Sequence, residues 1–496
     1  MPQEHQSQRI TSKLLLKQKL SKLGFPRCVY WVLNGLAQVD KVGVDKVPQW
    51  TPWYLLLFLR YSAKYSSNAI STRDDAIYSA YTYYDAYIKS REDAYLSDKN
   101  KDVTKFLLRL SHQQFIYQIG LTGLKNRVAR QNIFFSSFDT LLKERFGITS
   151  REFLKLSFFL FTHFSNGRRN FKKEIFNSLK NFSNHTAINN YLELISISQE
   201  ALREDSQRSI NFDDHEIFDD LLFRRKPLLV INQVYFIFST AFFHDLLGYG
   251  LYEAVKEQRE TRVAFGSIFE NYAQRRLLSV FPDCLTEDGI RGRLPKNEDE
   301  PSKVDAVLST ENALLLFEYK ATELPESIRL NPSDENIANL QYNIIKAVAQ
   351  GYKCLSLFLE KGEMFPEIDM KKQKFLFVVS YKDTYLGTAD RYWKDIEPIL
   401  KNIHNVQDTT GLSPKNIFFI SIDDLDWLMS LKNRIEEVAF SALDRFNKND
   451  AHHFSQILAK FVDKSFSVPE LEESFENVFR ECIADLGLNP DMLDTA

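Results

Sequence analysis

Two charged residues interrupt an otherwise apolar stretch of this sequence. Glu318 and Lys320 lie in residues 314–320, which read LLLFEYK. On a β-strand, residues two apart point to the same face, so this carboxylate and this ammonium group would lie side by side. Burying such groups without partners costs free energy. The pair therefore indicates either a chemical site or an ion pair at the edge of a sheet.

A third charged residue, Asp305, lies in the preceding strand-like run at 304–308. A two-residue hairpin loop at positions 310 and 311 would set Asp305 opposite Leu316. Opposed residues share a face, which makes Asp305 a diagonal neighbour of Glu318, about 7 Å away at the backbone. Two convergent carboxylates form an all-oxygen site of the kind that suits Mg²⁺ or Mn²⁺.

A helix-like segment at 265–281 carries a further acid. Phe269, Tyr272 and Ala273 are spaced as i, i+3 and i+4, which is the pattern of a buried helical stripe. Glu270 follows Phe269 by about 100° around the helix axis, so we expect it at the edge of that stripe.

Taken together, these residues resemble the PD-(D/E)XK nuclease superfamily, which has the restriction-endonuclease-like fold. Asp305 followed by Glu318-Tyr319-Lys320 is similar to the family signature, and residues 266–270 (GSIFE) are similar to its GxxFE helix. The order of elements is similar to the family's αβββαβ core. The resemblance covers about residues 256–430. Val304 stands where many members have proline, and Ile345 stands where the exonuclease branch has the tyrosine of its QxxxY pattern.

The resemblance implies a role for each of these residues. Asp305 and Glu318 would hold Mg²⁺ or Mn²⁺, with the backbone carbonyl of Tyr319 as an additional ligand. Lys320 would orient or deprotonate the attacking water, and Glu270 would act through a metal-bound water. Gln341 would contact the substrate or support the site. Arg291 and Arg293 lie in the sequence between the Glu270 helix and Asp305, which would bring them close to a bound phosphate, and ordinary loop charge is the alternative.

The surrounding elements must position these residues. Residues 1–255 predict an all-α N-terminal domain, in which 228–243 form a buried helix. Residues 256–430 predict an α/β nuclease domain with a mixed sheet. Residues 431–496 predict a short α-helical tail, which carries nine acidic and two basic residues from Asp463 onward. Within the α/β domain we expect strands at 304–308, 313–320, 375–379 and 417–420, and a helix at 336–350.

Composition excludes several classes of protein. Hydrophobic residues make up 44% of the chain and charged residues 26%, which is neither a disordered nor a membrane composition. The formal net charge of −3 excludes a uniformly basic DNA coat. The four cysteines are isolated, which excludes a zinc knuckle and fits a reducing cytoplasm. We expect no membrane span, because no run of about 20 apolar residues occurs.

A basic cluster at 168–173 (RRNFKK) allows two interpretations. Its charges and its phenylalanine would suit contact with a DNA backbone. The cluster is more typical of a solvated loop before an amphipathic helix.

The function expected from the sequence is that of a Mg²⁺-dependent nuclease acting on DNA. A large helical half fused to such a domain resembles bacterial antiphage defence effectors, so we expect the helical half to bind DNA or a partner protein, and self-association is compatible with the sequence. One alternative is a non-catalytic DNA- or protein-binding scaffold with a vestigial nuclease-like fold, and a further one is a different metal-dependent phosphodiesterase or a resolvase. The intact set of Asp305, Glu318, Lys320 and Glu270 argues against the vestigial scaffold.

Overall fold

The structure is a computed structural model of the chain. It describes residues 13–43, 46, 51–67, 73–97, 103–118, 121–180, 182, 184–211, 216, 218–256, 258–295, 303–330, 336, 343–448, 451, 453–462 and 468–487. Contacts divide the chain into two compact units. The first, here called the helical unit, comprises Met1–Ala254 and Glu473–Ala496, and the second, the α/β unit, comprises Val255–Glu472. The predicted tail at 431–496 is thus shared between both units.

The helical unit contains eleven of the α-helices that the structure describes. In chain order they are α1 (Phe25–Val42), α2 (Pro52–Tyr65), α3 (Asp74–Ser97), α4 (Val103–Gln114), α5 (Leu121–Phe135), α6 (Asp139–Phe146), α7 (Ser150–Ser165), α8 (His185–Ile195), α9 (Gln199–Ser209), α10 (Leu221–Arg225) and α11 (Thr240–Val255). Local sequence fixes several of these helix ends. Helix α7, for example, begins with a capping box in which Thr149 and Glu152 satisfy each other's backbone N–H groups.

The prediction of an all-α N-terminal domain is wrong in one respect, because the helical unit also holds a four-stranded mixed sheet. Its strands are β1 (Asn170–Lys172), β2 (Ser196–Ser198), β3 (Leu228–Ile231) and β4 (Val234–Ile237), in the spatial order β1-β4-β3-β2. β2 pairs parallel with β3, and the other pairs are antiparallel.

The error came from residues 228–243, which were predicted to form one buried helix. Residues 228–237 instead form the β3–β4 hairpin, and α11 begins at Thr240. Asn232 and Gln233 make the two-residue loop with φ of 49° and 65°. Positive φ at both positions characterises a type I′ turn, whose twist matches that of antiparallel strands. Periodicity alone does not separate such an apolar run from a helix.

The α/β unit contains further helices and a second sheet. Its helices are α12 (Arg259–Val280), α13 (Glu287–Arg291), α14 (Glu326–Leu330), α15 (Ile344–Glu360), α16 (Trp393–Asn402), α17 (Ile422–Ser430), α18 (Ile435–Asn447) and α19 (Ser455–Leu458), while α20 (Pro469–Asp485) crosses the boundary between the units. The strands are β5 (Leu285–Thr286), β6 (Ala306–Ser309), β7 (Ala313–Lys320), β8 (Gln373–Ser380) and β9 (Ile417–Ser421).

These five strands form a mixed sheet in the order β5-β6-β7-β8-β9. β5, β6 and β7 are antiparallel neighbours, whereas β7, β8 and β9 run parallel. The four predicted strands are all present, and β7 has the predicted limits. Helix α15 begins at Ile344 and continues to Glu360, ten residues beyond the predicted end of that helix. Gly351 has no side chain, and this lets α15 pack closely against β8, because a Cβ at this position would lie 2.7 Å from Leu376 Cδ2.

The coarser fold prediction is confirmed, since a mostly helical unit accompanies an α/β unit with a mixed sheet. Over the residues described above, no helix combines the length and the hydropathy that a membrane crossing requires.

Candidate active site

Strand β7 lies between β6 and β8 in the sheet and carries two of the predicted site residues. Its first seven residues are buried, and only Lys320 at its end is partly accessible. The Glu318 side chain is fully buried, and the Lys320 side chain is 18% exposed. Because the strand alternates, both side chains project from the same face of the sheet.

Asp305 immediately precedes β6, and the predicted strand register is wrong by two residues. The observed pairs are Ala306 with Phe317 and Val307 with Leu316, rather than Asp305 with Leu316. If this pairing is continued by one residue on each strand, Asp305 lies opposite Glu318. The loop is longer than predicted because Thr310 and Ala313 bond to each other across it. An even shift preserves the face, so Asp305 and Glu318 remain on one side of the sheet.

Direct hydrogen bonds join these residues. Lys320 Nζ donates to Glu318 Oε1, and the backbone N–H of Tyr319 donates to Asp305 Oδ2. The backbone carbonyl of Asp305 accepts from the N–H of Glu287 at 2.9 Å. Glu318 Oε2 is buried, and by distance and angle no residue that the structure describes donates a hydrogen bond to it, although the backbone N–H of Asp305 lies near this carboxylate and lowers its pKa. One oxygen of the buried carboxylate is therefore left for a further ligand.

Helix α12 brings Glu270 to the same group. Its buried residues include Phe265, Phe269 and Tyr272, and the helix is in contact with β7. A buried carboxylate, Asp426 of α17, anchors the helix further along. Asp426 accepts from Tyr272 Oη at 3.0 Å and from Arg276 Nε at 2.9 Å.

Burial raises the pKa of both carboxyl groups at the sheet. The pKa of Asp305 is raised to about 7, mainly because the group is desolvated, while Lys320 and the Tyr319 N–H lower it and Glu270 and Glu287 raise it. The pKa of Glu318 lies well above its usual range, because of burial and then repulsion from Asp305. Both groups therefore gain from a cation placed beside them.

The other two groups respond to the same charges. Burial lowers the pKa of Lys320, but the neighbouring Glu318, Asp305 and Glu270 together bring it above its ordinary value. The pKa of Glu270 is raised by partial burial and by Glu287, against the opposing effect of Lys320. Each of the four predicted catalytic residues therefore shifts the pKa of at least one of the others.

The predicted substrate-binding residues have different surroundings. Arg291 donates to Glu287 Oε1 at 3.2 Å and is half exposed, so an acid near the site holds it. Arg293 instead pairs with Glu367 at 2.5 Å and donates to the Met364 carbonyl at 3.3 Å. These contacts direct Arg293 toward the segment that follows α15. Gln341 lies outside the described residues.

Two residues near the site were assigned no role from the sequence: Glu287 was not considered, and Gln350 was set aside because it lies about 180° around the helix from Gln341. Glu287, at the first turn of α13, raises the pKa of both Asp305 and Glu270. Gln350 of α15 donates from Nε2 to the Lys303 carbonyl at 3.0 Å, two residues before Asp305. Both residues have a recognisable position in the sequence. Glu287 follows the capping residue Thr286, and Gln350 is a polar residue after the apolar run at 347–349.

The donor set can be compared with the needs of a divalent cation. In the part of the chain that the structure describes, no three or more His, Cys, Asp or Glu residues form a cluster that could hold a metal ion. Mg²⁺ is usually bound by one or two carboxylates, with water and substrate phosphates as the remaining ligands. Asp305 and the unpartnered oxygen of Glu318 fit that requirement. The Tyr319 carbonyl as a ligand stays a prediction.

Comparison with protein-family models, with curated proteins and with solved structures finds no match to this chain. The functional assignment therefore rests on the residues of this site and on their arrangement.

Proposed function

We propose that this protein is a metal-dependent nuclease whose active site is formed by Asp305, Glu318, Lys320 and Glu270. The observation that supports this most strongly is the state of Glu318, whose carboxylate is fully buried with Oε2 unpartnered and Asp305 beside it. An ionised carboxylate in such a place destabilises the fold unless a cation offsets its charge or a proton neutralises it. Lys320 offsets the negative charge at Glu318 Oε1, and a divalent cation would offset the charge at Oε2.

Asp305 and Glu318 would hold Mg²⁺ or Mn²⁺. When bound, such an ion supplies charge stabilisation at a phosphodiester oxygen and makes a bound water more acidic. Lys320 Nζ, at the accessible end of β7, would orient the attacking water and offset the negative charge that develops on the phosphate. Glu270, on the exposed side of α12, would accept a hydrogen bond from water at the site.

DNA is the proposed substrate, and this follows from the resemblance to PD-(D/E)XK nucleases. Of the two predicted substrate-binding arginines, Arg291 is the better situated to meet a phosphate near the site, because Glu287 holds it and Glu287 acts electrostatically on Asp305. Backbone contacts of this kind provide affinity without reading sequence.

The test is cleavage of linear DNA, circular DNA and RNA by the purified protein, with Mg²⁺ and with a chelator. We expect Mg²⁺-dependent cleavage by the wild type, and none by Asp305→Ala or Glu318→Ala with circular dichroism unchanged. Asp305→Asn and Glu318→Gln keep the side-chain volumes in case the alanine variants fold poorly. Asp283→Ala, which removes an exposed acid of the same unit, should cleave like wild type.

Retained Mg²⁺-dependent cleavage in both site variants would falsify the proposed site. DNA binding that is equal in wild type and variants, with no cleavage of any of the three substrates, would favour the non-catalytic scaffold instead.

A further inference from the structure

The helical unit contains a cavity of about 590 Å³ that has no part in the proposed nuclease site. Helix α7, the segment after β1 and the end of α20 beyond Glu472 enclose it. Aromatic and aliphatic side chains form most of its wall, and they include Phe158, Phe159, Leu179, Phe182, Phe479 and Ile483. This volume and this lining are typical of sites that bind small molecules.

The polar residues in the wall are largely occupied by the protein itself. Thr162 Oγ1 donates to the Phe158 carbonyl at 3.0 Å, and Asn166 Nδ2 donates to the Thr162 carbonyl at 3.0 Å. Ser178 Oγ donates to the Ile175 carbonyl at 2.7 Å. A ligand in the cavity thus meets an apolar wall rather than a set of unsatisfied donors and acceptors.

The charged residues in the wall are similarly paired, with one exception. Lys155 Nζ lies 3.0 Å from Asp485 Oδ2, and His163 Nε2 lies 3.0 Å from the Asn170 carbonyl. Arg168 also lines the cavity, and it is exposed. Considering only the described part of the chain, its guanidinium has neither a hydrogen-bond nor an ion-pair partner. The cavity therefore combines an apolar interior with a single available cation.

We propose that this cavity binds a small molecule that has an apolar body and one carboxylate group, with the carboxylate on Arg168. Transfer of the apolar body from water to this wall provides most of the affinity. The planar guanidinium accommodates a carboxylate through two parallel hydrogen bonds. The inference is independent of the nuclease proposal, because the cavity and the nuclease site lie in different units.

The test is isothermal titration calorimetry of the full chain with decanoate and, as a neutral probe of the same length, decan-1-ol. We expect saturable one-to-one binding of decanoate, about fivefold tighter than decanol, as a partly exposed ion pair allows. Arg168→Gln should reduce decanoate affinity to that of decanol and leave decanol unchanged. Lys172→Gln removes a nearby exposed cation that does not line the cavity, so it should bind decanoate like wild type.

A second pair of variants tests the location. Thr162 is exposed and lines the cavity, so Thr162→Trp should fill it and weaken both probes by at least about tenfold, because buried apolar area is lost. Ser165→Trp adds the same side chain to the same helix outside the cavity and should have no effect. The absence of saturable binding by wild type, or unchanged binding by Thr162→Trp, overturns the proposal. Equal decanoate affinity in Arg168→Gln and wild type overturns the assignment of an acidic ligand.

Discussion

In the proposed nuclease, Lys320 would compete with a bound metal ion for Glu318, because its ammonium group already contacts Oε1 of that carboxylate. If the proposed reaction is correct, Lys320→Ala removes a charge near the reacting phosphate without removing a metal ligand. We expect Mg²⁺ affinity, measured by calorimetry, to persist or increase, while the cleavage rate at saturating Mg²⁺ falls by a factor of about 10² to 10⁴. Lys346→Ala, which removes an exposed lysine of α15, is the control. Weaker Mg²⁺ binding with an unchanged rate would contradict the assigned role.

Substitution of Glu270 distinguishes a role of this acid at a metal ion from a purely structural role. An exposed acid that only forms surface contacts contributes at most about 1 kcal/mol to stability. An acid that acts through water on a metal site typically changes metal affinity or activity by roughly 10- to 100-fold. We therefore expect Glu270→Gln to leave unfolding without metal nearly unchanged, and to raise the Mg²⁺ concentration needed for cleavage about tenfold. Glu260→Gln, an exposed acid at the start of the same helix, should match wild type in a full Mg²⁺ titration. If both variants match wild type, Glu270 has no part in the reaction.

Asp305 makes stability depend on pH when no metal is present. Its pKa in the folded protein, about 7, is above its ordinary value of 3.8, mainly through burial. The folded state thus favours the protonated carboxyl group. The resulting stability is fully present below about pH 4 and is lost as the pH rises through 7.

Urea unfolding in the presence of a chelator measures this dependence. Between pH 4 and 8, we expect the free energy of unfolding to fall more for wild type than for Asp305→Asn, which does not titrate. Mg²⁺ binding should also release protons below about pH 7, because the ion competes with the proton for the carboxylate. Parallel stability profiles for the two proteins would show that Asp305 is not desolvated in the folded state.

At the scale of elements, the position of helix α12 depends on one buried carboxylate. Asp426 is fully buried and is bonded by Tyr272 and Arg276, which lie on the same helix as Glu270. Asp426→Ala leaves the Arg276 charge, only 12% exposed, without this partner, which typically costs about 3–5 kcal/mol. Tyr272→Phe removes one hydrogen bond and should cost about 1 kcal/mol.

Urea denaturation of both variants, together with their cleavage rates, tests this anchor. We expect Asp426→Ala to be the less stable variant and also to cleave more slowly, because the helix that carries Glu270 is no longer held. Equal losses of stability in the two variants would mean that the ion pair contributes nothing beyond the tyrosine bond.

At the scale of the whole molecule, the chain leaves the helical unit after Ala254 and returns to it at Glu473. The returning helix α20 is bound by α7, since Lys155 Nζ lies 3.2 Å from Glu481 and the ring of Phe158 lies 5.4 Å from that of Phe479. Truncation after Glu472 should therefore loosen the helical unit alone. In hydrogen exchange we expect faster exchange of the α7 amides and unchanged exchange in β6–β9. Faster exchange in that sheet would contradict the division into units.

Local patterns in the sequence determined much of the α/β unit. The apolar run at 313–320 predicts the limits of β7, because a fully buried strand shows as a continuous run with a polar end. The face shared by Asp305, Glu318 and Lys320 was also predictable, because alternation along a strand depends only on the parity of the spacing. Motif spacing and the order of elements together indicated which residues form the candidate site.

Only the tertiary structure decided which distant segments meet. The β6–β7 register depends on loop bonding between Thr310 and Ala313, and the sheet of the helical unit pairs segments from 170 to 237. Gln350 reaches Lys303 from a helix that lies nearly fifty residues further along the chain. Such contacts depend on how the buried faces of remote elements pack together, and this packing cannot be predicted from residue spacing. The residues of the candidate site and the face that they share could therefore be predicted from the sequence. The strand register, the placement of Glu287 and Gln350 near the site, and the return of α20 to the helical unit are properties of the fold.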